Sequence, residues 1–251
     1  MSDVRSGPLA AWARSWLAGV VSLDQVVDAV TGDDETHEVA GLVEFGHVAL
    51  QDLLLAWRHA GAPRFVLPVA GDIRGLPGPA HVRADALRAG GAVVIGVIGQ
   101  PGYSAVPEVT DYSPSSRLTT VRWQVRATES VPADHLAVGD AQYDLTTAIR
   151  ESAAALASAD VARWRPDVAD SLSGARRAGE RVNLPPSYPP GAVALLAQAE
   201  RLQAVLDLAL ADPIGGAVDR AGIASRSDAL APLATAVRRA RVAAYNATNS
   251  D

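Results

Sequence analysis

The stretch FVLPVAGDIRGLPGPAH, residues 65–81, gathers the residue types an anion site needs. Gly71, Gly75 and Gly78 stand between an apolar run and a segment of helical pattern, where backbone N–H groups can turn toward a phosphate or carboxylate. Arg74 would add a bidentate clamp. Asp72 or His81 would handle protons, His81 being the better suited because imidazole titrates near neutrality. The spacing weighs against this chemistry. It is not GxGxxG, no GK[ST] follows it, and Pro77 and Pro79 each remove an N–H donor. A stiff turn joining strand to helix is the simpler account. Binding of an anionic substrate there, with His81 or Asp72 handling protons, is the alternative.

Other groupings offer less. In GDDETHE, the side chains of Asp33, Asp34, Glu35, His37 and Glu38 could surround a hard cation, but they match no calcium-loop spacing and read as a solvated acidic turn. The five histidines, His37, His47, His59, His81 and His135, form no HxH, HxxxH or HExxH pattern. Ser104 in GYSAV lacks the closing glycine of a nucleophile elbow. Asp140, Asp144 and Glu151 share one helical stretch with Arg150 and read as surface charge. The chain has no cysteine, which excludes thiol nucleophiles, disulfides and thiolate metal sites. It also has no lysine: all 22 basic residues are arginine, which excludes Schiff-base chemistry and a P-loop. No metal and no cofactor is expected, and no family is suggested by these motifs.

The elements that must position these residues are readable from periodicity. Leu9, Trp12, Trp16 and Val20 recur at helical spacing after Pro8. Ser22 and Gln25 form a capping box for a second helix carrying Leu23, Val26, Val27 and Val30. ALQDLLLAWRHAG predicts a third, closed by Gly61. RFVLPV reads as a strand, AHVRADALRA as a short helix, and AVVIGVI as a buried strand. YSAVPEVT is expected at a sheet edge or a bulge, because Pro107 cannot donate to a ladder. In LTTVRWQVRAT, Thr119, Val121, Trp123 and Val125 alternate with Leu118, Thr120, Arg122, Gln124 and Arg126, the pattern of a strand with one solvated face. From Asp134 onward the pattern is helical. Leu145, Ile149 and Leu156 form one stripe, and a short helix is expected from Pro166 with Val168 and Leu172. The stripe Leu195, Ala199, Leu202, Leu206 and Ala209 faces another of Leu230, Leu233, Val237, Ala240 and Ala244, the last helix capped by Ser227. Pro213 and Gly215–Gly216 separate the two.

The fold class is therefore α+β: N-terminal helices, a small mixed sheet of about four strands with packed helices, and a C-terminal helical bundle. Residues 1–130 hold the first two and residues 131–251 the third, as two domains or one continuous one. The net charge of −6 lacks the basic surplus of a nucleic-acid binder. Arg176, Arg177 and Arg181, and Arg238, Arg239 and Arg241, read as the wet sides of amphipathic helices. No apolar run is long enough to cross a bilayer, and Arg14 interrupts what would be a signal-peptide core. A cytoplasmic, non-catalytic interaction or adaptor protein is the expectation, its partner another protein or a second copy. Its candidate surface is Arg122, Gln124 and Arg126 on the one-sided strand, with Tyr188 in the proline-rich LPPSYPP as a further anchor.

Overall fold

The computed structural model describes residues 5–41, 48–111, 119–158, 179, 182–211 and 220–248. The chain is α+β, and its contacts divide it into two compact units: residues 2–135 with 183–187, and residues 136–182 with 188–251.

The first unit runs α1 (Ser6–Leu17), α2 (Leu23–Thr31), β1 (Thr36–Ala40), β2 (Val48–Ala49), α3 (Leu50–Trp57), β3 (Pro63–Val66), α4 (Ala80–Ala89), β4 (Ala92–Ile95), β5 (Gly102–Asp111) and β6 (Thr119–Thr128). The capping box forms as read: Gln25 N–H donates to Ser22 Oγ at 3.2 Å, and Ser22 N–H to Gln25 Oε1 at 2.8 Å. Among the described residues the sheet has six strands in the order β2-β1-β6-β5-β4-β3, correcting the expectation of about four. The added strands begin inside the supposed acidic turn. THEVA becomes β1, which pairs in parallel with β6, and β2 pairs antiparallel with β1.

A second correction concerns YSAVPEVT. It belongs to β5, which lies between β4 and β6 and is not an edge strand. Its first half pairs with both neighbours, but β4 reaches it only over Tyr103–Ala105. Pro107 comes after that overlap, paired opposite Trp123 of β6, so its missing donor interrupts no ladder on the β4 side.

Alternation sorts the sheet's faces. Val39, Trp123, Val125, Ala105, Val93 and Phe65 point one way by register, and all are buried. Helix α1 packs on β3 and β4, and α3 on β1 and β2. On the opposite face, Val66, Ala92, Val94 and Val106 form a core with Ala86 and Ala89 of α4, Leu76 and Val131. Strand β4 is thus buried on both faces. Asn183 completes this unit: its side-chain oxygen accepts from Trp12 Nε1 at 2.8 Å and its amide donates to Ala29 O at 2.6 Å.

The second unit holds α5 (Val138–Ser158), α6 (Pro190–Ala211) and α7 (Arg220–Asn246). Helix α7 packs against both α5 and α6. Pro190 opens α6, as proline readily does in a first turn. Leu195, Ala199 and Leu206 of α6 and Val237, Ala240 and Ala244 of α7 are all buried. Ser227 lies within α7 and does not cap it, because the helix already begins at Arg220. Arg238 and Arg241 are only 8% and 9% exposed, correcting the wet-face reading. With α5 on one side and α6 on another, the last turns of α7 keep little surface for water. Arg241 is instead paired with Glu200 of α6 at 2.8 Å. The expected helix at Pro166 with Val168 and Leu172, the group Arg176, Arg177 and Arg181, and also His47, Leu118, Pro213, Gly215 and Gly216 lie outside the described residues.

Candidate functional site

At the glycine-rich loop, Val69 and Asp72 exchange backbone hydrogen bonds of 3.0 and 2.9 Å, closing a two-residue turn over Ala70 and Gly71. Gly71 sits at φ +86°, the conformation a type II turn requires at its third position. Arg74 then folds back onto Asp72. Its Nε donates to Oδ1 at 2.9 Å, its Nη2 to Oδ2 at 2.6 Å, and its backbone N–H to Oδ1 at 3.3 Å. The hydrogen bond to Asp72 raises the Arg74 pKa still further. The guanidinium fork is thus occupied by a carboxylate of its own loop, and an incoming anion would have to displace it. Gly75, at φ +74°, is packed against Val66 and Asp134. Gly78 precedes α4, and His81 is exposed in the first turn of that helix.

The face of the sheet opposite α1 is covered over half its width. Helix α4 lies over the β3–β4–β5 side. Across β1, β6 and the far half of β5 the outward positions are mostly polar and partly to fully exposed: Thr36, Glu38, Thr120, Arg122, Gln124, Glu108 and Thr110. Arg122 Nη2 lies 3.4 Å from Glu38 Oε2, with both side chains more than two-fifths exposed. Gln124 Nε2 donates to Glu108 Oε2 at 3.1 Å. Thr36 and Thr120 meet through their hydroxyls at 3.5 Å, and Arg126 is half-buried at the end of the row. Arg122, Gln124 and Arg126 thus share one row of β6, from which Arg122 reaches a carboxylate on β1 and Gln124 one on β5. Tyr188 is not part of this or any displayed surface. It is 8% exposed, and its hydroxyl donates to Tyr245 O at 2.6 Å within the helical unit. The proline-rich segment turns that ring inward, which corrects its reading as an exposed anchor.

Directly behind Glu38 and Arg122 lies a group that single-residue reading passed over. The His37 side chain is 1% exposed. Trp123 Nε1 donates to His37 Nδ1 at 3.2 Å, and His37 Nε2 lies 3.0 Å from Asp34 Oδ2. Asp34 also receives Arg5, Nε at 2.6 Å and Nη2 at 2.7 Å. An indole nitrogen can only donate, so Nδ1 must be the acceptor and the ring proton must sit on Nε2, facing Asp34. Burial pushes the His37 pKa below its usual value, against the opposing pull of Asp34. For Asp34, burial raises the pKa, but the hydrogen bonds from Arg5 and His37 prevail and hold it below the usual carboxylate value. The one clue in the sequence is phase: His37 alternates with Val39 as an inward residue of THEVA.

Ser104 is fully buried within β5, remote from a nucleophile's setting, and its hydroxyl has no hydrogen-bond partner among the described residues. Asp140, Asp144 and Glu151 are exposed on α5. Among the described residues, no three His, Asp or Glu side chains gather as a metal cage, and no helix is long and apolar enough to cross a membrane.

Fold and site together define an α+β chain in which a sheet unit with a half-open polar face precedes a helical unit. Residues 6–138 match the N-terminal domain of the Rv1486c-like proteins and residues 139–242 match their C-terminal domain, and the chain belongs to that family. It is 31% identical to the uncharacterized protein Rv1486c of Mycobacterium tuberculosis over 95% of both chains. It is 29% identical, with the same coverage, to the uncharacterized proteins ML1804 of Mycobacterium leprae and MAV321 of Mycobacterium avium. No solved structure matches the chain.

Proposed function

We propose that this protein is a non-catalytic interaction module that docks a protein partner on the open half of its sheet, through Arg122, Gln124 and Arg126 of β6 with Glu38 and Glu108 beside them. The observation that carries the reading is the half-cover. Helix α4 closes one side of the face and leaves the other as a row of both charge signs on hydrogen-bonded strands. Such a surface loses little entropy on docking, and its mixed charges favour register and selectivity more than raw affinity. A protein suits it better than nucleic acid, since the face carries carboxylates among its arginines and the chain is net acidic. The sheet edges are poorer docking sites: β2 has two residues and β3 four, and short edges discourage strand addition.

Binding of an anionic substrate at Gly71–Gly78 is the weaker reading, because Arg74 is engaged by Asp72. A photoreactive side chain placed at Gln124 separates the possibilities, with Tyr143, exposed on α5, as the control position. The expected result is one discrete cross-linked protein from position 124 in the living cell, lost in Arg122→Glu and absent from position 143. The same adducts from both positions, or none from 124, would reject the reading. A solvated sheet face gives that second outcome. Cross-linking of the purified protein to itself at 124 would identify the partner as a second copy.

A further inference from the structure

We infer that His37 is a proton-operated latch within the sheet unit, which lets go of Trp123 when the ring takes up a second proton. The inference rests on the donor and acceptor inventory of the buried chain Arg5–Asp34–His37–Trp123, and it stands whether or not the open face binds a partner. In the neutral ring each nitrogen has one partner of the correct kind: Nδ1 accepts from the indole, and Nε2 donates to Asp34. An imidazolium donates from both nitrogens. Its Nδ1–H would then face the Trp123 Nε1–H, donor against donor, in a site closed to water.

Asp34 pulls the other way, but its carboxylate already carries a bidentate Arg5, so much of its charge is matched before the histidine protonates. The other neighbours add little. On β6 the inward residues beside His37 are Val121 and Trp123, while Arg122 and Glu38 point to the opposite face. On α3, which packs on β1, Asp52 is exposed and accepts from Ala49 N–H, and Arg58 lies over the Trp16 ring. Glu35 is exposed, as are Asp24 and Asp28 of α2. Among the described residues, therefore, Asp34 is the anion that faces the ring and Arg5 the cation.

The latch spans the β1–β6 pair, the parallel join that places Glu38 beside Arg122. It also ties that pair to the residue preceding α1, through Arg5. Acidification therefore loosens this corner of the sheet unit first, with α2 and the Asn183 clip still in place.

Heteronuclear NMR of the full chain, titrated downward from neutral pH, tests this. The His37 ring is expected to titrate below the ordinary 6.5, and the Trp123 indole N–H signal to broaden and exchange over the same range. The Trp12 indole, bonded to Asn183, serves as internal control and should keep its signal. In His37→Gln, whose amide can accept at one end and donate at the other, the Trp123 signal should no longer respond to pH. Should that variant fail to fold, Trp123→Phe removes the opposing donor and should move the His37 midpoint upward. A wild-type midpoint at or above 6.5, loss of Trp123 and Trp12 signals together, an unchanged response in His37→Gln, or an unmoved midpoint in Trp123→Phe would each overturn the latch.

Discussion

Two aspartate–arginine pairs in the first unit show how burial decides what an ion pair is worth. Arg74 and Asp72 meet at 2.6 Å, but the arginine is 54% exposed, and a pair in that setting contributes between nothing and about 1 kcal/mol. Arg5 and Asp34 meet at the same distance with less than a fifth of either side chain exposed. Arg5→Ala strips a charged donor from a carboxylate that also holds His37, and should cost about 1–3 kcal/mol. Arg74→Ala should fall within about 1 kcal/mol of wild type. Urea titration of the two variants, followed by tryptophan fluorescence, compares them directly. The same chain sets the pH response. A histidine whose folded pKa is depressed is neutral when folded at a pH where the unfolded chain binds a proton. Stability from His37 is therefore complete above its unfolded value of 6.5 and falls as pH drops through that value toward the folded one. Asp34, also depressed, adds a further loss beginning near 3.8. The urea midpoint should decline in the first window for wild type and hold there in His37→Gln.

At the scale of elements, the glycines separate turn chemistry from packing. Gly71 has φ +86° but nothing within 4 Å of an added Cβ, so Gly71→Ala meets only the left-handed backbone penalty of about 1–2 kcal/mol. At Gly102 an added Cβ would fall 2.3 Å from Ile95 O and 2.6 Å from Val131 Cγ2. Gly102→Ala must therefore push β5 away from β4 and should be the more damaging change, read as a lower melting temperature than that of Gly71→Ala. Most helices, and the one-sided β6, were legible because their signals are local: a capping box within four residues, an apolar stripe, an alternation along one strand. Strand β1 was not, since its partner β6 lies some eighty residues further on and the alternation of THEVA runs over only five residues. The His37 network was hidden for the same reason, for only the β1–β6 register brings His37 to Trp123. Tyr188 and Arg238 misled in the opposite sense. A proline-rich loop and an arginine cluster are usually wet, but here Tyr188 turns inward to the Tyr245 carbonyl and Arg238 lies on α7, which packs against two other helices.

At the scale of the whole molecule, chain order and unit membership differ. Residues 183–187 belong by contact to the first unit, although the chain has by then left it for nearly fifty residues. Asn183 is the residue that makes this membership matter. One amide satisfies the Trp12 indole on α1 and the Ala29 carbonyl on α2, and so joins two helices from a position more than 150 residues away in sequence. Asn183→Ala leaves a donor and an acceptor without their partner. Because both sites are only partly buried and water can reach them, the expected cost is about 1–2 kcal/mol, below that of two fully buried orphans. Hydrogen exchange locates the effect: protection should fall in α1 and α2 while α5, α6 and α7 keep theirs. Asn183→Asp sharpens the test, since a carboxylate still accepts from Trp12 but cannot donate to Ala29 O. Loss confined to α2 in that variant, against loss in both helices for alanine, would assign each half of the amide to its helix. Equal loss from both variants would mean that the segment acts by covering the helices, with no contribution from the two hydrogen bonds.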